Sequence, residues 1–224
     1  MQVTLPYRFR GPLDSANGGY ACGRLAALVP AEAVEVTLRL PPPLDRPLET
    51  RTEGDTTVLA DGDAVVAEAR AASLDVQAPD PVSWAAAEAA AARHVREGSP
   101  AFRECFVCGI RPDGDSLKIY VGVVEGREPL HAAPWTPAEA GTELVWAAID
   151  CPGAYAVGAA GRGGIVLGRM TACVVRVPEP GEPCVVSAWP LGGDGRKLYA
   201  GTALHTADGE LLARAQQVWI EPRL

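Results

Sequence analysis

The chain has 224 residues, long enough for one large domain or two of about 100 residues each. Its 48% hydrophobic and 21% charged residues exclude a disordered or fibrous protein and call for a packed core. Lys and Arg total 20 against 28 Asp and Glu, and the resulting charge of −8 argues against nucleic acid, whose phosphates need a positive face. The first ten residues lack the apolar run of a signal peptide, and no later stretch approaches the ~20 apolar residues of a membrane span. The expectation is a soluble, cytoplasmic protein with no membrane partner. Six cysteines are too few for a disulfide scaffold, so reduced thiols are expected.

In chain order, residues 3–9 are β-compatible, and residues 11–19 are rich in turn formers, ending in Asn17-Gly18-Gly19. Residues 20–29 carry Tyr20, Leu25, Leu28 and Val29 among small residues, a buried helix stopped by Pro30. Four strands are predicted at 34–40, 47–52, 56–60 and 64–72, an antiparallel meander. Residues 83–97 are Ala-rich behind a Ser83 cap and predict a connecting helix. The order then repeats: a strand at 117–124, an apolar helix at 142–157, and strands at 165–177, 184–189, 198–205 and 211–220. Each half reads β-α-β-β-β-β, and the Asp61-Gly62 and Asp208-Gly209 turns echo one another. An internal duplication is expected, with halves at 1–75 and 101–224 joined by a helical connector at 76–100.

Three features carry candidate chemistry. Asp150 interrupts an apolar helix just before Cys151-Pro152-Gly153, where Pro152 frees backbone groups. It is either a functional carboxylate or a terminal Asp that faces solvent or bonds the broken turn. Asn17-Gly18-Gly19 opens the first helix, either as an ordinary cap or as an oxyanion site where glycine admits a ligand to the helix N-terminus. Cys105 and Cys108 have metal-ligand spacing, but zinc needs two further ligands and His94, His131 and His205 are scattered, so packing without metal is expected. No Gly-x-Ser-x-Gly elbow supports a serine hydrolase.

One buried helix wrapped by an antiparallel sheet, made twice, is the α+β double hotdog, with two antiparallel sheets each wrapping a central helix. Cys105-Phe106-Val107-Cys108-Gly109 followed by Gly114-Asp115-Ser116-Leu117, together with Leu144-Val145-Trp146-Ala147-Ala148-Ile149-Asp150, resembles the hotdog-fold acyl-CoA thioesterases of the phenylacetyl-CoA thioesterase type. The resemblance implies hydrolysis of an acyl-CoA or related thioester by a homodimer, without metal or cofactor. Asp150 then activates water or attacks directly, Asn17 orients the carbonyl, the Gly19 and Tyr20 N–H groups polarise it, and Gly18 admits it. Trp146 either packs in the core, the default for a tryptophan, or lines an acyl pocket, and Arg162, Arg169, Arg196 and Lys197 either meet coenzyme A phosphates or are ordinary surface charge. The alternative is a non-catalytic acyl-CoA or small-ligand binding protein.

In the resembled family the aspartate follows the first residue of the Gly-Gly motif by nine positions. Nine onward from Asn17 stands Ala26, and nine before Asp150 stands Gly141, followed by Thr142 and Glu143. The expectation is one competent cleft joining Asn17-Gly18-Gly19 to Asp150, and a second in which Gly141-Thr142-Glu143 faces Ala26.

Overall fold

The computed structural model describes residues 1–95, 100–111, 114–159 and 164–222. Strand β1 (Gln2–Thr4) leads through a 3-10 turn (Tyr7–Phe9) to helix α1 (Gly18–Ala26). The Asn17 side chain caps α1 by accepting the Tyr20 N–H at 2.9 Å. Its sequence Gly-Gly-Tyr-Ala-Cys-Gly-Arg-Leu-Ala is a poor helix former, each glycine costing about 1 kcal/mol relative to Ala, so packing rather than propensity holds it. Strands β2 (Ala33–Leu38), β3 (Pro47–Glu53), β4 (Thr56–Asp61) and β5 (Ala64–Ala71) follow. Ser83 caps α2 (Trp84–Ala91) through the Ala86 N–H. The chain continues through β6 (Gly122–Val123), β7 (His131–Trp135), α3 (Thr142–Ala148), α4 (Cys151–Ala156), β8 (Val166–Val174), β9 (Cys184–Asp194), β10 (Lys197–Thr206) and β11 (Leu211–Ile220).

All these strands form one antiparallel sheet in the order β1-β3-β4-β5-β2-β8-β11-β10-β9-β7-β6. The expectation of two sheets is thereby corrected. Strands β2 and β8 pair directly, with Ala33 opposite Cys173 and Thr37 opposite Arg169, so two would-be edges satisfy each other's backbone groups. The order is nevertheless repeated: β1-β3-β4-β5-β2 from one end matches β7-β9-β10-β11-β8 read inward from the other, where the two-residue β6 is an additional outermost strand. The echoed turns occupy matching hairpins, with Gly62 at φ 58° between β4 and β5 and Gly209 at φ 93° between β10 and β11, where a Cβ would be strained.

The strand expected at 117–124 is mostly absent. The Leu117 N–H donates to Phe106 O at 2.8 Å and the Ile119 N–H to Val107 O at 3.1 Å, so this segment pairs with the cysteine turn and only Gly122–Val123 joins the sheet. Its expected place is taken by β7, which contains Pro134. Strand β6 opposes only His131 and Ala132, leaving the far side open at Pro134, where proline is tolerated. The helix expected over 142–157 is broken into α3 and α4. The connecting helix is shorter than expected, and residues 96–97 of its predicted span lie outside the described residues.

Helices α1 and α3 pack side by side in opposite directions. A Cβ on Gly19 would lie 2.5 Å from Asp150 Cβ and from Trp146 O, and one on Gly23 would lie 2.7 Å from Glu143 Cα. The glycines that weaken α1 are therefore what bring it against α3. Around this contact Tyr20, Leu25, Ile149, Met170 and Leu204 are buried, each worth about 1.5–3 kcal/mol. Helix α2 covers the other face, where Ala87 and Ala90 meet Ala132 and Val185, while the alternate residues Ala133 and Val186 face the main core. Among the described residues no helix is long and apolar enough to cross a membrane.

Candidate functional site

The site begins at the break between α3 and α4. Pro152 has no N–H to donate at the break, where Gln217 Nε2 donates to the Ile149 carbonyl at 2.7 Å and to the Asp150 carbonyl at 3.1 Å, the latter also accepting from the Gly153 N–H at 3.1 Å. Gln217, fully buried on β11, accepts in turn from Trp219 Nε1 at 2.9 Å. Gly153 passes so close to Gln217 that a side chain there would collide with it. Gln217 was not singled out in the sequence, because nothing local marks a strand glutamine that faces inward.

At the break the Asp150 side chain neither faces solvent nor caps α4; it is 2% exposed and reaches across to α1. Its Oδ2 accepts from Asn17 Nδ2 and from the Gly19 N–H, both at 2.9 Å. Its Oδ1 is buried with no hydrogen-bond partner among the described residues. Burial is the main influence on the carboxyl and pushes its pKa up to about 7, against the Gly19 bond, with the Cys105 sulfur adding to the rise and Asn17 opposing it. Asn17 thus serves both helices, its oxygen capping α1 and its amide holding Asp150.

This geometry alters the expected oxyanion donors. The Gly19 N–H is bonded to Asp150 and the Tyr20 N–H to Asn17 Oδ1, so neither is available to a carbonyl. The Gly18 N–H, at the first position of α1, makes no hydrogen bond among the described residues, and Gly18 lines the pocket. Tyr20 is buried with its ring stacked on Phe9 at 3.9 Å. Trp146 is core between α1 and α3, and neither it nor Glu143 lines the pocket.

That pocket holds about 300 Å³ between the start of α1, one end each of β2 and β8, and α4. Asn17, Gly18 and Asp150 form its polar wall, and Leu38, Leu167 and Ile165 contribute to a mainly apolar remainder. A second pocket of similar size is lined by an ion-pair cluster, in which Arg8 bonds Asp115 at 3.1 Å and Glu139 at 2.6 Å, beside the apolar Phe106, Leu117, Trp135 and Leu144. Neither Glu143 nor Ala26 lines it, so it is not the expected second cleft. Of the cations named from the sequence, Arg169 bonds Thr37 and pairs with Glu35, Arg196 binds the Glu221 carbonyl, and Arg162 lies outside the described residues. Arg39, which sequence reading passed over, lines the pocket while paired with Glu68.

The cysteine pair also gains a neighbour. Cys151, at the start of α4, brings its sulfur to 3.6 Å from that of Cys105, and the sulfurs of Cys105, Cys108 and Cys151 all lie within 4.8 Å of one another. All three line the pocket. The count of two close ligands made from sequence spacing is therefore too low.

No protein-family model and no curated protein sequence matches the chain. Solved structures do resemble it. A provisionally named thioesterase II from Thermobifida fusca is 17% identical with a TM-score of 0.66, over 99% of this chain and 93% of that one. A protein of unknown function with a hot dog fold from Alicyclobacillus acidocaldarius is 15% identical with a TM-score of 0.63, over 100% and 93%. An acyl-CoA thioesterase II, TesB2, from Mycobacterium marinum is 11% identical with a TM-score of 0.59, over 100% and 93%. The fold is thus a hotdog fold.

Proposed function

We propose that the protein is a thioester hydrolase built as a double hotdog, with residues 1–75 and 101–224 as diverged copies joined by the connector at 76–100. The repeated strand order supports the duplication, and the observation that carries the activity is Asp150, a residue of the pocket wall held through one oxygen by Asn17 and Gly19 while the other is buried without a partner among the described residues. The acyl carbonyl accepts from the Gly18 N–H at the positive end of α1. Asp150 Oδ1 takes a proton from a water, whose oxygen attacks the carbonyl carbon. The C–S bond then breaks, and the leaving sulfur recovers the proton from Asp150. A pKa near 7 suits this acid–base role, since the carboxylate is a stronger base than an exposed one and is still substantially ionised at neutral pH. Acyl-CoA is the substrate class, in keeping with the name of the M. marinum structure.

A panel of acyl-CoAs, followed by thiol release and by direct binding, tests this reading. Turnover of at least one member is expected. Binding with no thiol release throughout would instead make the chain an acyl-CoA binding protein. Single turnover in 18O-labelled water probes the role of Asp150: a base puts the label in the product acid, whereas label in the Asp150 carboxylate marks a nucleophile whose mixed anhydride water opens at the Asp150 carbonyl.

A further inference from the structure

We infer that Cys105, Cys108 and Cys151 form a three-thiolate binding site for a thiophilic divalent cation of the zinc class. The spacing fits, because metal–sulfur bonds of about 2.3 Å at tetrahedral angles set sulfurs roughly 3.8 Å apart. Cys105 and Cys151 already stand 3.6 Å apart and the whole group falls within 4.8 Å, so small side-chain rotations suffice.

The backbone holds these ligands from two sides. Cys105 and Cys108 flank a tight turn closed by the Gly109 N–H on Cys105 O at 2.8 Å, and a side chain at Gly109 would strike the Cys105 backbone. Cys151 follows the helix break that Gln217 secures. A donor also converges on the sulfurs: Asn17 Nδ2 lies 3.9 Å from Cys105 and 3.7 Å from Cys151, in the place of an outer partner that would steady thiolates.

Ligand chemistry selects the ion. Thiolates favour zinc-like or cuprous ions over magnesium or calcium, which want oxygen, and no carboxylate belongs to the cluster. Three thiolates around a dication leave one net negative charge, whereas around a monovalent ion they leave two. In a mainly apolar pocket the smaller residual charge is favoured, so the dication is preferred. Three protein ligands leave a fourth position, and since all three cysteines line the pocket it opens there. The inference does not rest on the proposed hydrolysis, although the cysteines share the pocket and Asn17 with Asp150.

The test is titration of reduced, chelator-treated protein with Cd2+, reading the ultraviolet thiolate-to-metal charge-transfer band and proton release. Saturation at one ion per chain is expected, with protons released and with Cd2+ displacing bound Zn2+, as the softer ion does at thiolates. Cys108→Ser and Cys151→Ser should each weaken binding by roughly tenfold or more, at least as much as loss of an outer partner costs elsewhere. Cys173→Ser, on β8, should bind as the unaltered chain does. Should Cys151→Ser fail to fold, Cys108→Ala at the partly exposed position gives the same readout, alongside the rise in melting temperature that Zn2+ causes only in the intact trio. Absence of the band at one equivalent, or a band unchanged in Cys108→Ser, overturns the inference.

Discussion

Helix α1 and the pair α3–α4 occupy matching places on the repeated sheet but are specialised in opposite ways. Helix α1 is continuous and carries a side-chain cap at Asn17, whereas α3 starts at Gly141 with no side-chain cap. Toward the other end the contrast reverses, for α1 runs on through Ala26 while α3 stops and turns at Asp150. One helix supplies a capped N-terminus and the other a buried carboxylate, and the glycine contact at Gly19 and Gly23 brings the two together. The comparison teaches that the candidate site depends on the contact between α1 and α3–α4, so its parts should fail together.

The largest expected effect is in Asp150→Asn, which keeps the shape and the bonds to Asn17 and Gly19 but removes the base. Thiol release should fall by roughly 10²–10⁴-fold while acyl-CoA binding remains. The same substitution probes the cost of burying the carboxylate. Its folded pKa of about 7 lies above the ordinary 3.8, so stability present below about pH 4 is lost as pH rises to about 7, up to roughly 4 kcal/mol. Denaturation midpoints of metal-free protein should show Asp150→Asn near parity with the unaltered chain at pH 4 and more stable at pH 8.

Gly19→Ala attacks the contact between the helices. The added Cβ has no room against Asp150 and Trp146, and a loss of about 1–3 kcal/mol is expected in denaturant melts, with weaker turnover. Gln217→Leu strips the donor from the two carbonyls at the break and should cost a similar 1–3 kcal/mol, read the same way. Smallest is Glu143→Gln: since Glu143 does not line the pocket, kcat/KM should stay within about twofold of the unaltered chain, a change of less than ~0.5 kcal/mol.

Much of this was legible in the sequence, and the failures have physical causes. The strands of β-branched and alternating residues were found within a few positions, as with β11 over Leu211–Ile220. Asn17 and Asp150 stood out because a cap before two glycines and a carboxylate inside an apolar helix are locally conspicuous. Strand β7 was hidden because His-Ala-Ala-Pro-Trp has little β character and gains its conformation from pairing with β9. The segment from Leu117 has the better β pattern but gives its backbone to the cysteine turn. The merging of two sheets into one, the third thiol and Gln217 all arise from contacts distant in sequence, which no local pattern encodes. The Gly19-x-x-x-Gly23 spacing was a usable sign of close helix packing and was not read.

The central claim is that Asn17 at the start of α1 and Asp150 at the break between α3 and α4 act as one device. A double-mutant cycle on kcat/KM for acyl-CoA hydrolysis tests it most directly, using Asp150→Asn and Asn17→Ser, the latter chosen because serine still caps the helix but cannot donate to the carboxylate as the amide does. The account predicts strong non-additivity, with the double variant hardly worse than Asp150→Asn alone. Losses that simply multiply, or an Asp150→Asn variant with undiminished thiol release, would contradict it.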